Sequence, residues 1–475
     1  MLMKNSNRCL KFILLLLPAA IGMLGFLIDR SVSFGDAVYR CVTMYVINYT
    51  ESPPNALVDI ARWLAPIATT SGILLAVSSV NTRVRAWFAS RRADSFAVYG
   101  DAAQQDVLLE QLGSRGIRGG DRLVRAGNYI LAGAEQDNLV FYARHRAQLQ
   151  DKPVYLRCSS RQTLTEIGAN VKCFSPEELA SRLFWKETFL YPFSAARGHR
   201  FSIALIGFGA LGEELLYWGL QNNLFDPQQE ITYHVFGDCS AFLDLHPGLK
   251  EIRDRVVPHD EPWHAAADVL QDAGMILVLE QERQIELLQK LLLLPRLAGI
   301  VCFSAQDDFS DLFGEGQRVR FFPWLERASR IENITEDRMV RLAKTVNLRY
   351  AHLYGGTEET EENLEAEWKA LNTFTRYSNI SAADYHEMRL RILEHQGLPP
   401  RFAELPAAVQ GQMAELEHER WCRYHYLNNW SYGVPENGAR KDPALRIHSD
   451  LVPYSALSEA ERKKDYDTVG VMMSI

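Results

Sequence analysis

Residues 201–238 constrain this chain more than any other stretch. Phe201 to Ile206 is a short apolar run suited to a strand buried on both faces, and it leads directly into Gly207, Gly209 and Gly212, which open a helical pattern. The spacing is that of a dinucleotide fingerprint: one glycine for a tight turn, one for close approach of a pyrophosphate, one for packing helix on strand. A second strand, Ile231 to Gly237, ends at Asp238, where a carboxylate can accept hydrogen bonds from ribose hydroxyls. NAD(H) or another adenine nucleotide is the cofactor this order of features implies, with Gly207, Gly209, Gly212 and Asp238 as its binding residues.

At 475 residues the chain exceeds what one hydrophobic core holds, so two to four domains are expected. The formal net charge is -8, which gives no electrostatic case for nucleic acid. Seven cysteines lie far apart without a CxxC pair, a pattern of reduced thiols in a cytosolic body and of no zinc site. No Ser-His-Asp order, metal-ligand spacing or phosphate loop appears, so no catalytic residue is assigned. His259 and His264 flank Trp263 in a Pro-bounded loop and read as solvated.

The first 92 residues read as a membrane hairpin. Phe12 to Ile28 follows Lys4, Arg8 and Lys11, and a second apolar stretch, Trp63 to Val80, precedes Arg83, Arg85, Arg91 and Arg92. Spans of about 12–28 and 60–80 with basic outer flanks predict an inner-membrane anchor in the lipid bilayer, both termini cytoplasmic. A cleaved signal peptide is the rival for the first segment, and a buried core hairpin is the rival for the pair. Between them, Ser33 to Asn48 is amphipathic; it is either a re-entrant element of two-span potassium-channel type, though without filter glycines, or a structural helix.

Beyond the arginines, Ser95 to Tyr99, Asn128 to Leu131 and Pro153 to Arg157 read as strands interleaved with helices. The matches at Asp137 and Asn138, Arg157, Gly168 and Ala169, and Ser175 to Ala180 resemble the nucleotide-binding domain of TrkA-type potassium-uptake regulators and RCK modules. Only Gly100 remains of the glycine turn, and Gly113 to Gly120 is too short for a full second strand ending in an acid, so residues 94–190 read as a Rossmann-like unit with a degenerate site. Residues 199–330 are the intact second unit. Residues 335–400 read as helices, including Glu361 to Asn379 as one pattern. Arg376, Ser378, Asn379 and Asp384 at a helix junction read as capping and interhelix bonding.

Residues 405–475 are similar to the RyR domain, through His418, Glu419 and Trp421; Trp430, Tyr432 and Gly433; Arg440 and Lys441; His448, Leu451, Val452, Pro453 and Tyr454; and Leu457, Glu459, Glu461 and Lys463 to Asp465. Asn429 and Ser449-Asp450 depart from the repeat. The resemblance implies an adenine-containing ligand, with Trp421 stacking on the base, and Trp430, Tyr432, Arg440, Lys441, His448 and Tyr454 as its surroundings. Trp421, Trp430 and Tyr454 are equally open to a second use, as the core of a small helical domain. With one repeat present, a two-repeat cleft would require a second subunit, so a homodimer or homotetramer is expected.

The expected fold class is therefore α/β: an N-terminal transmembrane hairpin, two tandem Rossmann-like parallel-sheet domains, and a mostly helical RyR domain. The expected function is a membrane-anchored nucleotide sensor, as a ligand-gated ion channel or potassium-transport regulator of RCK type. The alternatives are a nucleotide-activated membrane effector in anti-phage defence and a membrane-tethered NAD(P)-dependent oxidoreductase.

Overall fold

A computed structural model describes residues 2–29, 32–70, 91–158, 170–297, 299–304, 318–335 and 338–475. The chain divides into two compact units, Met1–Ser95 and Phe96–Ile475. Gly168, Ala169 and the helix expected over Thr163 to Ala169 lie outside the described residues.

In the first unit, α1 (Leu2–Asp29) packs on α2 (Phe34–Tyr45), and residues 56–70 are helical. Ser33 starts α2 by accepting from the Asp36 amide. Asn55 joins two segments: its side-chain nitrogen donates to the Gly25 carbonyl at 2.8 Å, while its oxygen accepts from the Leu57 and Val58 amides. Phe26, Ala37, Cys41, Met44, Val58 and Ala61 form the small core, and Phe34, Tyr39, Val42, Trp63 and Ile67 stay exposed.

The transmembrane hairpin is not supported. Among the described residues no helix is long and apolar enough to cross a membrane. The apolar part of α1, Phe12 to Ile28, is interrupted by Pro18 and falls short of the roughly 20 residues that cross a bilayer unaided. The second half of the other expected span, residues 71–80, lies outside the described residues. The assignment to the inner membrane, with lipid bilayer as partner, rested on those two spans and falls with them.

The second unit holds two parallel sheets. The first comprises β1 (Phe96–Tyr99), β2 (Gly116–Arg118), β3 (Asn128–Leu131), β4 (Val154–Arg157) and β5 (Val171–Phe174), in the order β2-β1-β3-β4-β5. The helices α3 (Ala102–Leu112), α4 (Glu135–Leu149) and α5 (Pro176–Glu187) connect or follow its strands. Three-residue β2 is all that the segment between Gly113 and Gly120 yields.

The second sheet comprises β6 (Arg200–Ile206), β7 (Glu230–Phe236), β8 (Arg255–His259), β9 (Ala273–Val278), β10 (Gly299–Ser304) and β11 (Val319–Pro323), in the order β11-β10-β9-β6-β7-β8. Counted from its own first strand this is 3-2-1-4-5-6, the doubly wound Rossmann order, whose direction reverses between β6 and β9. Helix α6 (Ala210–Asn222) follows β6 and packs on α5, where a Cβ on Gly219 would stand 2.9 Å from the Trp185 ring. Trp185 fixes that approach by donating to the Leu215 carbonyl at 2.8 Å.

The rest of the unit is helical: α7 (Arg338–Gly355), α8 (Glu361–Ala370), α9 (Thr373–His395), α10 (Ala407–Leu427) and α11 (Glu459–Met472). Between α10 and α11 a small sheet forms from β12 (Ser431–Tyr432), β13 (Lys441–Asp442) and β14 (Ile447–His448). The single helical pattern expected from Glu361 to Asn379 is broken. Asn372 caps a new helix by accepting from the Thr375 amide, so the junction falls seven residues before Asn379.

One apolar core runs from the first sheet through α5 and α6 into α9 and α10. Directional contacts fix the joint between the second sheet and the C-terminal helices. Arg423 on α10 pairs with Asp254 at 2.5 Å, both fully buried, and Asp254 also accepts from the Ile231 amide at 2.8 Å. Tyr385 donates to the Leu224 carbonyl at 2.9 Å, and Arg182 on α5 pairs with Asp384 on α9 at 2.6 Å. Gly248 lies so close to the Tyr426 carbonyl that no Cβ fits between them.

Candidate functional site

The glycine turn sits where the second sheet reverses. Gly207 has φ +84°, and a Cβ there would stand 2.9 Å from the Glu280 amide nitrogen, so the turn passes against the chain leaving β9. Gly209 has φ +81° and precedes α6; a Cβ on it would meet nothing, which leaves open space where a pyrophosphate would approach the helix N-terminus. At Gly212 a Cβ would meet the Phe208 ring at 2.8 Å. Asp238 is exposed just after β7, and its Oδ1 accepts from the Ser240 amide at 3.0 Å and hydroxyl at 2.6 Å, which holds its carboxyl below the usual range. The electrostatics are mixed, because Glu213 and Glu214 follow in the first turns of α6.

The same end of α6 faces the first sheet. Ala210, Glu213 and Glu214 join Asp101, Gly133, Arg157 and Glu177 around a cavity of about 430 Å³. Arg157, the basic residue of that lining, pairs with Glu177 at 2.8 Å.

A larger cleft, about 800 Å³, opens at the C-terminal helices. Trp421, Tyr424 and His425 of α10 and buried Trp430 line one side. Opposite are Asn372, Phe374 and Thr375 at the start of α9, with Glu214 and Tyr217 of α6 closing one end. Phe374 stacks on Trp430 with centroids 5.2 Å apart, and Trp421 lies 4.0 Å from the His425 ring. A second cavity of about 610 Å³ lies across Trp421, with Trp421, His448, Lys441 and Ser378 lining both.

Two of the histidines that line the cleft, His425 and His448, are held neutral. Burial pushes His425 down to about 3, despite the bond its Nδ1 donates to the Trp421 carbonyl at 2.8 Å, and burial also lowers His448. Positive charge is left to Lys441, which has no ion pair among the described residues, and to Arg446, which donates to the Asn428 carbonyl. Arg440 is committed elsewhere: it pairs with Glu461 and lies 3.4 Å from Asp450.

The residues expected in this segment therefore separate. Trp421, Lys441 and His448 border both cavities, Trp430 the larger and Arg440 the smaller. Trp430 is 7 % exposed and acts mainly as packing beneath Phe374. Tyr432 is exposed on β12 and Tyr454 lies beneath Arg462, and neither lines either of these two cavities. Residues the sequence reading missed are Phe374, Asn372 and Thr375, whose signal was the L-N-T-F-T capping pattern, and Glu214, Tyr217 and Arg446, which had none. Arg376 does cap, donating to the Trp368 and Lys369 carbonyls that end α8.

Two polar clusters have the look of catalytic sets. Cys422 lies 3.4 Å from His418 Nε2, and His418 Nδ1 lies 3.2 Å from Asp465. Cys422, however, is buried against Trp430 and Leu451, lines neither cavity, and has a thiol raised by burial, while His418 Nε2 donates to the Val452 carbonyl at 2.8 Å. The His418–Asp465 pair ties α10 to α11. His259, expected in a solvated loop, instead ends β8 and stacks on Phe236 at 4.3 Å; its Nδ1 donates to Glu261 and its Nε2 accepts from His234 at 2.9 Å. Among the described residues no three metal-ligating side chains converge.

The profile of the RyR domain family matches residues 402–474, the segment that supplies Trp421, Lys441 and His448. A search of curated proteins finds no match to the chain.

Proposed function

We propose that this chain senses an adenine-containing small molecule, captured in the cleft between α10, α9 and α6. The observation that carries the reading is the composition of that cleft: a partly buried indole, Trp421, beside Phe374 and neutral His425, with Lys441 and Arg446 at its edge. An aromatic face takes a purine by stacking, contributing on the order of 1 to 3 kcal/mol, and lysine or arginine meets its phosphates. The start of α9 adds amide donors of the same polarity. The opposite wall comes from α9 and α6 of the same chain, so a second RyR repeat from another subunit is not required to enclose the base.

Glu214 and Tyr217 tie the cleft to the helix that follows the glycine turn, which gives a route from ligand to the Rossmann-like units. A second reading, NAD(H) at Gly207 to Gly212, is favoured by the strand order and the open space at Gly209. The likeness of the first unit to TrkA-type regulators is part of this proposal and is supported by its parallel β2-β1-β3-β4-β5 sheet.

Thermal-shift measurement of the full chain with ATP, ADP-ribose and NAD tests both. Loss of the shift in Trp421→Ala alone assigns the ligand to the cleft, and loss in Gly209→Asp alone assigns it to the glycine turn. No shift with any adenine compound at millimolar concentration would sink the reading.

A further inference from the structure

We infer that the ligand of the Trp421 cleft is two-headed: an adenine on the aromatic side of the indole, a second ribose on its charged side, and phosphate passing between them at Lys441. This rests on the adenine reading above and deepens it. Cavities of about 800 and 610 Å³ meet along Trp421, His448, Lys441 and Ser378, and each alone is within the range that holds a small ligand. A mononucleotide occupies one and leaves the other to water.

The two sides differ in chemistry. The larger is aromatic, with Phe374, His425 and Trp430. The smaller is set apart by its ionisable side chains, among them Arg440, Asp450 and Lys464, and its distinctive member is Glu461, 8 % exposed. Glu461 Oε2 receives Lys464 at 2.9 Å and Arg440, whereas its Oε1 is buried without a hydrogen-bond partner. A buried acceptor left unmatched is costly, and a ligand hydroxyl would relieve it. A ribose diol is the sugar group that carboxylates meet in dinucleotide sites. Phosphate is the wrong group for this side, because Glu461 and Asp450 already take up the charge of Arg440 there. Lys441 borders both cavities, which places the linking phosphates at the indole edge.

Isothermal titration of the full chain with AMP, ADP and ADP-ribose reads the inference. ADP-ribose should bind about tenfold more tightly than ADP, the value of one hydrogen bond to a charged group. ADP-ribose lacking the distal 2′-hydroxyl should fall back towards ADP, and Glu461→Gln should narrow the difference between ADP-ribose and ADP. The deoxy analogue keeps the test decisive should Glu461→Gln disturb Arg440. Equal binding of ADP and ADP-ribose, both abolished by Trp421→Ala, would overturn the two-headed ligand and leave the adenine reading standing. A preference for ADP-ribose insensitive to both the hydroxyl and Glu461 would also overturn it. Absence of binding by all three compounds would remove both.

Discussion

His418 shows how a single residue of this segment is used. Its two ring nitrogens face acceptors, Asp465 and the Val452 carbonyl. Burial opposes its charge, but the bonds to Asp465 and Cys422 win and push the imidazole up to about 11. A raised value means the folded state holds the proton more tightly than the unfolded one, so the stabilisation is complete below about pH 6.5 and drains away as pH climbs towards 11. His418→Gln should cost about 3 kcal/mol near pH 6, and urea midpoints should show the gap to wild type shrinking from pH 7 to 10. A gap constant across that range would mean the ring is neutral. Trp430 gives the opposite lesson: its segment resembled a ligand-binding repeat, yet only the fold shows that Phe374, 56 positions earlier, covers it.

At the scale of elements, β6 and β7 of the second sheet were readable because each is a largely apolar run followed by glycine, Gly207 and Gly237. The edge strand β8 was not, because Pro258 argues against a strand. Proline lacks a ladder donor, and it is tolerated here because β8 pairs only with β7, leaving its other side open. That is why His259 was misplaced into a loop. The break at Asn372 was missed because helical periodicity continues on both sides of it, and it removed the start of α9 from view as a cleft wall. The glycine turn supplies a direct test. Gly207→Ala meets backbone at Glu280 in addition to its positive φ, whereas Gly209→Ala meets only the strain of its φ. Gly209→Ala should therefore cost roughly 1 to 2 kcal/mol and Gly207→Ala clearly more, by chemical denaturation. Equal losses would show that the turn is not pressed against the chain leaving β9.

At the scale of the whole molecule, the joint between the sheet and the C-terminal helices depends on residues with no sequence signal. Asp254 and Arg423 are 169 positions apart, and nothing local announces that they meet. Arg423→Met leaves Asp254 buried without its partner and should cost about 3 to 5 kcal/mol. Adding Asp254→Asn should recover part of that loss, which a double-mutant cycle in urea measures. Strict additivity would mean the pair does not hold the joint.

Glu214 borders both the 430 Å³ cavity beside the first sheet and the 800 Å³ cleft. Its carboxylate belongs to two electrostatic environments at once, and a molecule settling in either one alters the potential felt in the other. Thermodynamic reciprocity then fixes the accounts: whatever factor an occupant of one chamber imposes on affinity in its neighbour is returned in equal measure. Were both chambers to take a ligand, the thirteen residues of α6 would carry that factor between them.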